Sequence, residues 1–225
     1  MTNFESPFAA GKVLLIDKPL GWTSFDVVRK LRHLIRIKKI GHAGTLDPLA
    51  TGLLIVCTGK FTKRINEFMA QEKEYTGTIT LGAVTPSYDL ETEPVDHRDI
   101  GHISLAKIQE AMQLFIGSIL QVPPAHSAIK VKGKRVYEMA RKGQSVTLEP
   151  RRITISSFEA VQYNEGVLHF RAVCSTGTYI RSLAHDLGAA LQCGAYLSSL
   201  RRTRIGAFAV EEAQTPEQFE RSLSA

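Results

Sequence analysis

Hydrophobic and polar positions along the chain change period several times, and each change marks an element. Val13-Leu14-Leu15-Ile16 is an apolar run of strand length. Thr23 or Ser24 then stands where a helix N-cap belongs, ahead of Val27, Val28, Leu31, Leu34 and Ile35 at helical spacing. Residues 38–52, rich in Gly, Thr and Pro, read as a loop. Residues 53–57 are apolar throughout and predict a buried strand, and 61–70 a short helix. Residues 75–81 alternate at period two, and 104–116 return to helical period, closed by Gly117. After a loop at 121–127 the pattern predicts a helix over 135–142 and strands over 145–148, 151–162 and 166–174. A helix over 178–190 and a last strand over 196–209 complete the set. No Pro/Gly/Ser linker interrupts the 225 residues, so a single domain is expected. Strands gathered late, with few βαβ alternations, predict an α+β fold with a mixed or antiparallel central sheet flanked by helices and loops.

Composition narrows the class. At 44% hydrophobic residues, the chain is not a disordered sequence. No apolar run approaches the roughly 20 residues that span a bilayer. The start, MTNFESPFAAGK, has neither the basic opening nor the apolar stretch of a secretory signal. Cys57, Cys174 and Cys193 are too widely and irregularly spaced for a disulfide framework, and suggest buried thiols in a reducing setting, the cytoplasm.

The charge changes the picture more. Lys and Arg number 28 against 22 Asp and Glu, a net +6, and the excess is clustered. Residues 28–64 hold nine cations (Arg29, Lys30, Arg32, Arg36, Lys38, Lys39, Lys60, Lys63, Arg64) against the single acid Asp47. A second cluster spans 126–155, and Arg201, Arg202 and Arg204 form a third. Clustered cations fit a phosphate backbone, whose neutralisation releases counterions. They fit solvated helix faces as well.

Candidate chemistry centres on Gly41-His42-Ala43-Gly44-Thr45-Leu46-Asp47-Pro48-Leu49-Ala50-Thr51-Gly52. Its glycines permit positive φ and close backbone approach. Pro48 keeps Asp47 out of helical geometry, so a carboxylate sits on an extended segment among cations. Such a group suits a nucleophile or base. It equally fits an Asp that braces a turn, and the residues alone leave both readings open. Gly59-Lys60 is followed by Phe61, which excludes a phosphate-binding P-loop. The histidines and cysteines fall into no zinc spacing, and no serine lies in a nucleophile-elbow context.

At this loop, GHAGTLDPLATGLL resembles the signature of the TruB-type tRNA pseudouridine-55 synthases. VLLIDKPLGWTS, KEYTGTITLGAVTPSYD, QVPPAHSAIKVKGKRVYEMARKG, CSTGTYIRSLAHDLGAAL and LSSLRRTRIGAF resemble further family blocks in the same order, over roughly residues 11–208. The resemblance implies the pseudouridine-synthase fold and an isomerase that turns the T-loop uridine of tRNA into pseudouridine without cofactor or metal. It implies Asp47 as the catalytic carboxylate at the ribose, Tyr75 stacking on the flipped uracil and assisting C5 proton loss, and Arg181 pairing with Asp47. His42, Tyr179 and Leu200 would contact the extruded nucleotide; Lys18 would support the loop and Asp89 would contact RNA. Residues 1–210 would be the catalytic domain and 211–225 a short C-terminal stub, with the RNA-binding PUA domain of many relatives absent. The T-arm of tRNA is the implied partner, with no membrane and a monomeric chain. Two places depart from the family pattern: Ala125-His126-Ser127-Ala128, and Pro86 with Tyr88 in the segment 85–89. A non-catalytic RNA-binding module with the same basic face is the rival class. It gives no reason to keep both Asp47 and Arg181.

Overall fold

The structure, a computed structural model, describes residues 6–125, 130–131, 134–135 and 148–224. The helix expected over 135–142, most of the strand over 145–148 and the side chains of the second basic cluster at 130–142 lie outside those residues. The chain divides into two compact units: residues 1–76 with 200–225, and residues 77–199.

In the first unit, after a short helix α1 (Pro7–Ala10), strand β1 (Val13–Lys18) pairs antiparallel with β3 (Ala50–Thr58). Helix α2 (Ser24–Ile35) begins at a capping box: Thr23 accepts from the Asp26 amide, and Asp26 in turn accepts from the Thr23 amide. It ends at Arg36, which takes the left-handed conformation at φ 54°. The expected stripe is buried, for Val27, Val28, Leu31 and Ile35 pack with Ile16, Leu54 and Val56. Strand β3 reads as continuous apolar sequence because both of its faces are covered. Leu54 and Val56 join that cluster, while Leu53, Ile55 and Cys57 join Phe68, Ile205 and Val210 on the other side.

The loop expected over 38–52 is shorter than its composition suggests. Residues Ile40–Ala43 form β2, which pairs with β3 from Thr58 to Ile55, so ladder hydrogen bonds override the Gly-rich composition. The helix expected over 61–70 is a 3₁₀ segment, Gly59–Arg64, running into α3 (Ile65–Ala70). Strand β10 (Ala195–Ile205) lies parallel to β3 and turns through Gly206 onto β11 (Phe208–Ala209). The final residues hold helix α6 (Pro216–Ser222) behind its own capping box, and its Phe219 is buried in the α2 cluster.

The second unit contains the remainder of strand β4 (Lys73–Leu81), within which the division falls, and helix α4 (Leu105–Gln113). It also holds β5 (Gly117–Gln121), β8 (Arg151–Asn164), β9 (Val167–Cys174) and helix α5 (Ile180–Ala190). A small antiparallel pair, β6 (Lys130–Val131) and β7 (Lys134–Arg135), forms a separate two-stranded sheet. In this unit β9 pairs antiparallel with β8 and β8 with β5, while in the first unit β3 pairs parallel with residues 200–202 of β10, within which the division also falls; strands of both senses with flanking helices make an α+β fold. The helix expected over 104–116 stops at Gln113, and Gly117, at φ 94°, opens β5. Strands β8 and β9 form a hairpin turned by Glu165 and Gly166, both at positive φ as a two-residue turn of this hand requires. Gly188 in α5 permits a close approach, since a Cβ there would lie 2.2 Å from the Ala195 amide nitrogen.

Candidate active site

Five of the expected site residues, Lys18, His42, Asp47, Tyr75 and Leu200, belong to the first unit; Asp89, Tyr179 and Arg181 belong to the second. In the first unit the segment carrying Asp47 is fixed from both sides. Ser24, buried at the start of α2, accepts from the Leu46 amide at 2.8 Å and donates to the Leu46 carbonyl at 3.2 Å. On the other side the Pro48 carbonyl accepts from the Gly21 amide at 2.8 Å. Lys18 ends β1 with its side chain wholly buried, and its ammonium donates to the carbonyls of Trp22 at 2.6 Å, Pro19 at 2.9 Å and Pro48 at 3.5 Å. The Ala50 amide donates back to the Asp47 carbonyl at 3.0 Å, closing a turn. The half-buried Asp47 carboxylate is therefore carried on a turn whose neighbours on either side are held by β1, α2 and the link between them, which is the preorganisation a reacting group needs. Leu200 stands in register with Ala50, three residues past Asp47, and Tyr75 is buried in β4.

The electrostatics follow from burial. Lys18 is pushed by burial from 10.5 to about 8; the Asp47 carboxylate opposes that shift, Arg202 adds to it and Asp26 opposes it. His42 lies below its ordinary value because it is buried and because Arg202 is near, with a hydrogen bond to the Gly44 backbone acting the other way. Its ring is thus neutral at pH 7, and its buried Nδ1 has no hydrogen-bond partner.

In the second unit Arg181 lies in the first turn of α5, buried, with its Nε 3.6 Å from the buried Asp89 carboxylate and its guanidinium donating to the Ser87 carbonyl at 3.3 Å. One turn later on the same helix face, His185 stacks on Tyr88, ring centroids 3.9 Å apart. Tyr88 takes a left-handed φ of 64°, and the Leu197 amide donates to its carbonyl. The departure from the family pattern at Tyr88 therefore has a packing role. Burial lowers His185 and raises Asp186 to about 6, so the stacked ring is neutral. Tyr179 immediately precedes α5. Gln121 grips its backbone twice, accepting from the Tyr179 amide at 2.8 Å and donating to the Tyr179 carbonyl at 3.0 Å.

Sequence reading missed Ser24, Gln121 and Arg202 as parts of this machinery. The third basic cluster, open in sequence to either a phosphate or a solvated face, is engaged within the chain. Arg201 grips Asp17 with two hydrogen bonds of 2.7 and 3.0 Å, Arg204 lies 3.8 Å from Glu72 and 3.6 Å from Glu74, and Arg202 is buried. Those arginines hold strands together before they can meet a phosphate.

Comparison with known proteins gives first the class, the pseudouridylate synthases, and then the family. Residues 32–180 match the family described as TruB family pseudouridylate synthase (N terminal domain), and residues 181–224 match the tRNA pseudouridylate synthase B C-terminal domain. The chain is 53% identical over 223 residues to tRNA pseudouridine synthase B of Flavobacterium johnsoniae, covering 96% of this chain and 97% of that one. It is 52% identical over 218 residues to the protein of the same name from Bacteroides fragilis, with 94% of each covered. Among solved structures, that of a Cbf5-Nop10-Gar1 complex superposes with a TM-score of 0.75 at 31% identity, over 95% of this chain and 54% of the other. The chain thus spans about half the length of that structural neighbour. The chain belongs to the TruB family of pseudouridylate synthases. No described helix is long and apolar enough to cross a membrane.

Proposed function

We propose that this chain isomerises uridine 55 in the T-loop of tRNA to pseudouridine, acting as a monomer in the cytoplasm, with Asp47 as its catalytic carboxylate. The observation that carries the reading is the turn bearing Asp47, pinned at Leu46 by Ser24 and at Pro48 by Gly21 and Lys18. Relatives at about half identity over nearly their whole length are tRNA pseudouridine synthases, which supplies the substrate.

The chemistry needs little besides placement and charge. The C1′–N1 bond breaks with Asp47 acting at the ribose, the uracil turns in the pocket, and a C1′–C5 bond forms. The C5 proton is lost and N1 gains one, so atoms balance with no co-reactant. Tyr75 stacks on the turned base and assists departure of the C5 proton. Arg181 supports the carboxylate, its charge being permanent at any working pH. Tyr179 and Leu200 line the pocket, and Asp89 reaches RNA through the segment it shares with Tyr88. Neutral His42 contacts the nucleotide without adding charge. Extruding the base costs a few kcal/mol, which stacking aromatics and phosphate contacts offset.

The test is release of tritium from T-arm RNA labelled at uracil C5. The wild-type chain releases label; Asp47→Asn releases it about a thousand times more slowly or not at all, while its RNA affinity stays within about threefold. Label release at an undiminished rate by Asp47→Asn would move the chemistry to another residue.

A further inference from the structure

Arg202 carries no part of the proposed chemistry, yet it is among the largest fully buried side chains, 1% exposed. It belongs to β10 and stands in register with Gly52 of β3. The strands approach closely there, for a Cβ on Gly52 would lie 2.3 Å from the Arg202 carbonyl oxygen. From that position the side chain runs along the edge of β3 that β10 and β2 share. Nε donates to the Leu53 carbonyl at 2.8 Å, and the guanidinium donates to the Gly44 carbonyl at 3.1 Å, where β2 hands over to the turn carrying Asp47. Gly44 sits at φ 91° with its bare α-carbon facing the guanidinium, 3.5 Å from where a Cβ would be.

No carboxylate forms an ion pair with Arg202 among the described residues; its hydrogen-bond partners are carbonyl oxygens. A buried guanidinium with only carbonyl partners costs stability, so a compensating role is expected. The titratable groups that feel it are Lys18 on β1 and His42 on β2. Its charge depresses both Lys18 and His42. Lys18 in turn senses the carboxylates of Asp47 and Asp26, so Arg202 and Asp47 act on one common neighbour.

We infer that Arg202 is a positioning residue for the family's reaction: it clamps the turn of Asp47 to β3 through the Gly44 carbonyl and supplies a fixed buried charge that keeps the Asp47 carboxylate ionised. The inference rests on the proposed role of Asp47. A guanidinium suits the task because its planar fork spans two carbonyls at once and never loses its proton.

The experiment compares wild type, Arg202→Gln and Arg202→Lys in single-turnover tritium release across pH 5–9, with RNA affinity measured alongside. Arg202→Gln is expected to lower the plateau rate about 100-fold, the cost of roughly an ångström of misplacement. Affinity should stay within about threefold, and the acid limb of the rate profile should move to higher pH. Arg202→Lys returns the acid limb to its wild-type position but recovers only part of the rate. A wild-type plateau and acid limb in Arg202→Gln overturn the inference. So does a loss that saturating RNA restores, or an equal loss in both variants with the limb unmoved. Where Arg202→Gln fails to fold, Arg202→Lys decides: a plateau more than about threefold below wild type at unchanged affinity supports the clamp, and a smaller change overturns it. A wild-type chain that releases no label removes the proposed function itself, a distinct result.

Discussion

At the scale of single residues, Lys18 makes the sharpest prediction. An ammonium has three donors, and three carbonyls surround this one, including that of Pro48 beside Asp47. Burial brings Lys18 down to about 8, so above that pH the group becomes an amine with two donors and one of the three carbonyls is released. Activity should therefore fall along an alkaline limb centred near pH 8. Stability should move the other way. The folded state gives up this proton near 8 and the unfolded chain near 10.5, so between those values the unfolded state binds more protons and the group's contribution to stability rises with pH. Lys18→Met, of similar volume, should fold at least as well as wild type, work more slowly at every pH and lack the limb. Matched rate and unfolding measurements from pH 7 to 10 check this; an identical limb in Lys18→Met would refute it. Family blocks run through Asp47, Lys18 and Arg181, so the sequence singles them out as candidates; the bracing of the Asp47 turn by Lys18 is what the structure adds. The sequence does not single out Ser24, Gln121 or Arg202. Ser24 holds a residue 22 positions away and Gln121 one 58 positions away, pairings that only the fold creates. Arg202 gave one unused signal: it lies two residues past Leu200 on a strand, hence on the same face.

At the scale of elements, Gly188 sets two effects against each other. Replacing a mid-helix glycine with alanine normally stabilises by about 1 kcal/mol. Here the added methyl would meet the Ala195 amide nitrogen at 2.2 Å and the Gly194 carbonyl carbon at 2.4 Å. Overpacking of that kind costs about 1–3 kcal/mol, and a helix braced on backbone has little room to shift. Gly188→Ala should therefore lower the melting temperature by a few degrees, read by thermal unfolding, and a rise would show that α5 moves freely on β10. The elements that were legible share a property: their pattern and their caps agree. Helix α2 has its stripe, its Thr23–Asp26 box and a left-handed end, and it forms where expected. Strands β2 and β5 were missed because their reasons are not local. Ile40–Ala43 has four residues, two of them small, and is a strand because β3 pairs with it. Gly117 looked like the close of a helix, yet at φ 94° it starts the edge strand that pairs with β8.

At the scale of the whole molecule, the net charge of +6 says less than its distribution among partners. Arg29 pairs with Asp26, Lys30 with Glu220, Arg64 with Glu67 and Arg201 with Asp17, so much of the positive charge that looks free in sequence is already engaged. Arg36, Lys38 and Lys39 are different. They follow α2, are exposed and enter none of the ion pairs among the described residues. If the proposed RNA substrate uses them, each phosphate contact contributes about 0.7–0.9 to the slope of log affinity against log salt. Replacing all three with Gln should make that slope shallower by about 2 to 3 and weaken binding most at low salt. Arg201→Gln removes as much formal charge per residue, yet it should leave the slope nearly unchanged and act instead on stability, because the lost partner is Asp17 of the same chain. Filter binding of T-arm RNA over a salt series separates the two outcomes. An unchanged slope in the triple variant would mean that the RNA backbone runs elsewhere; a shallower slope in Arg201→Gln would mean that its pair with Asp17 opens on binding.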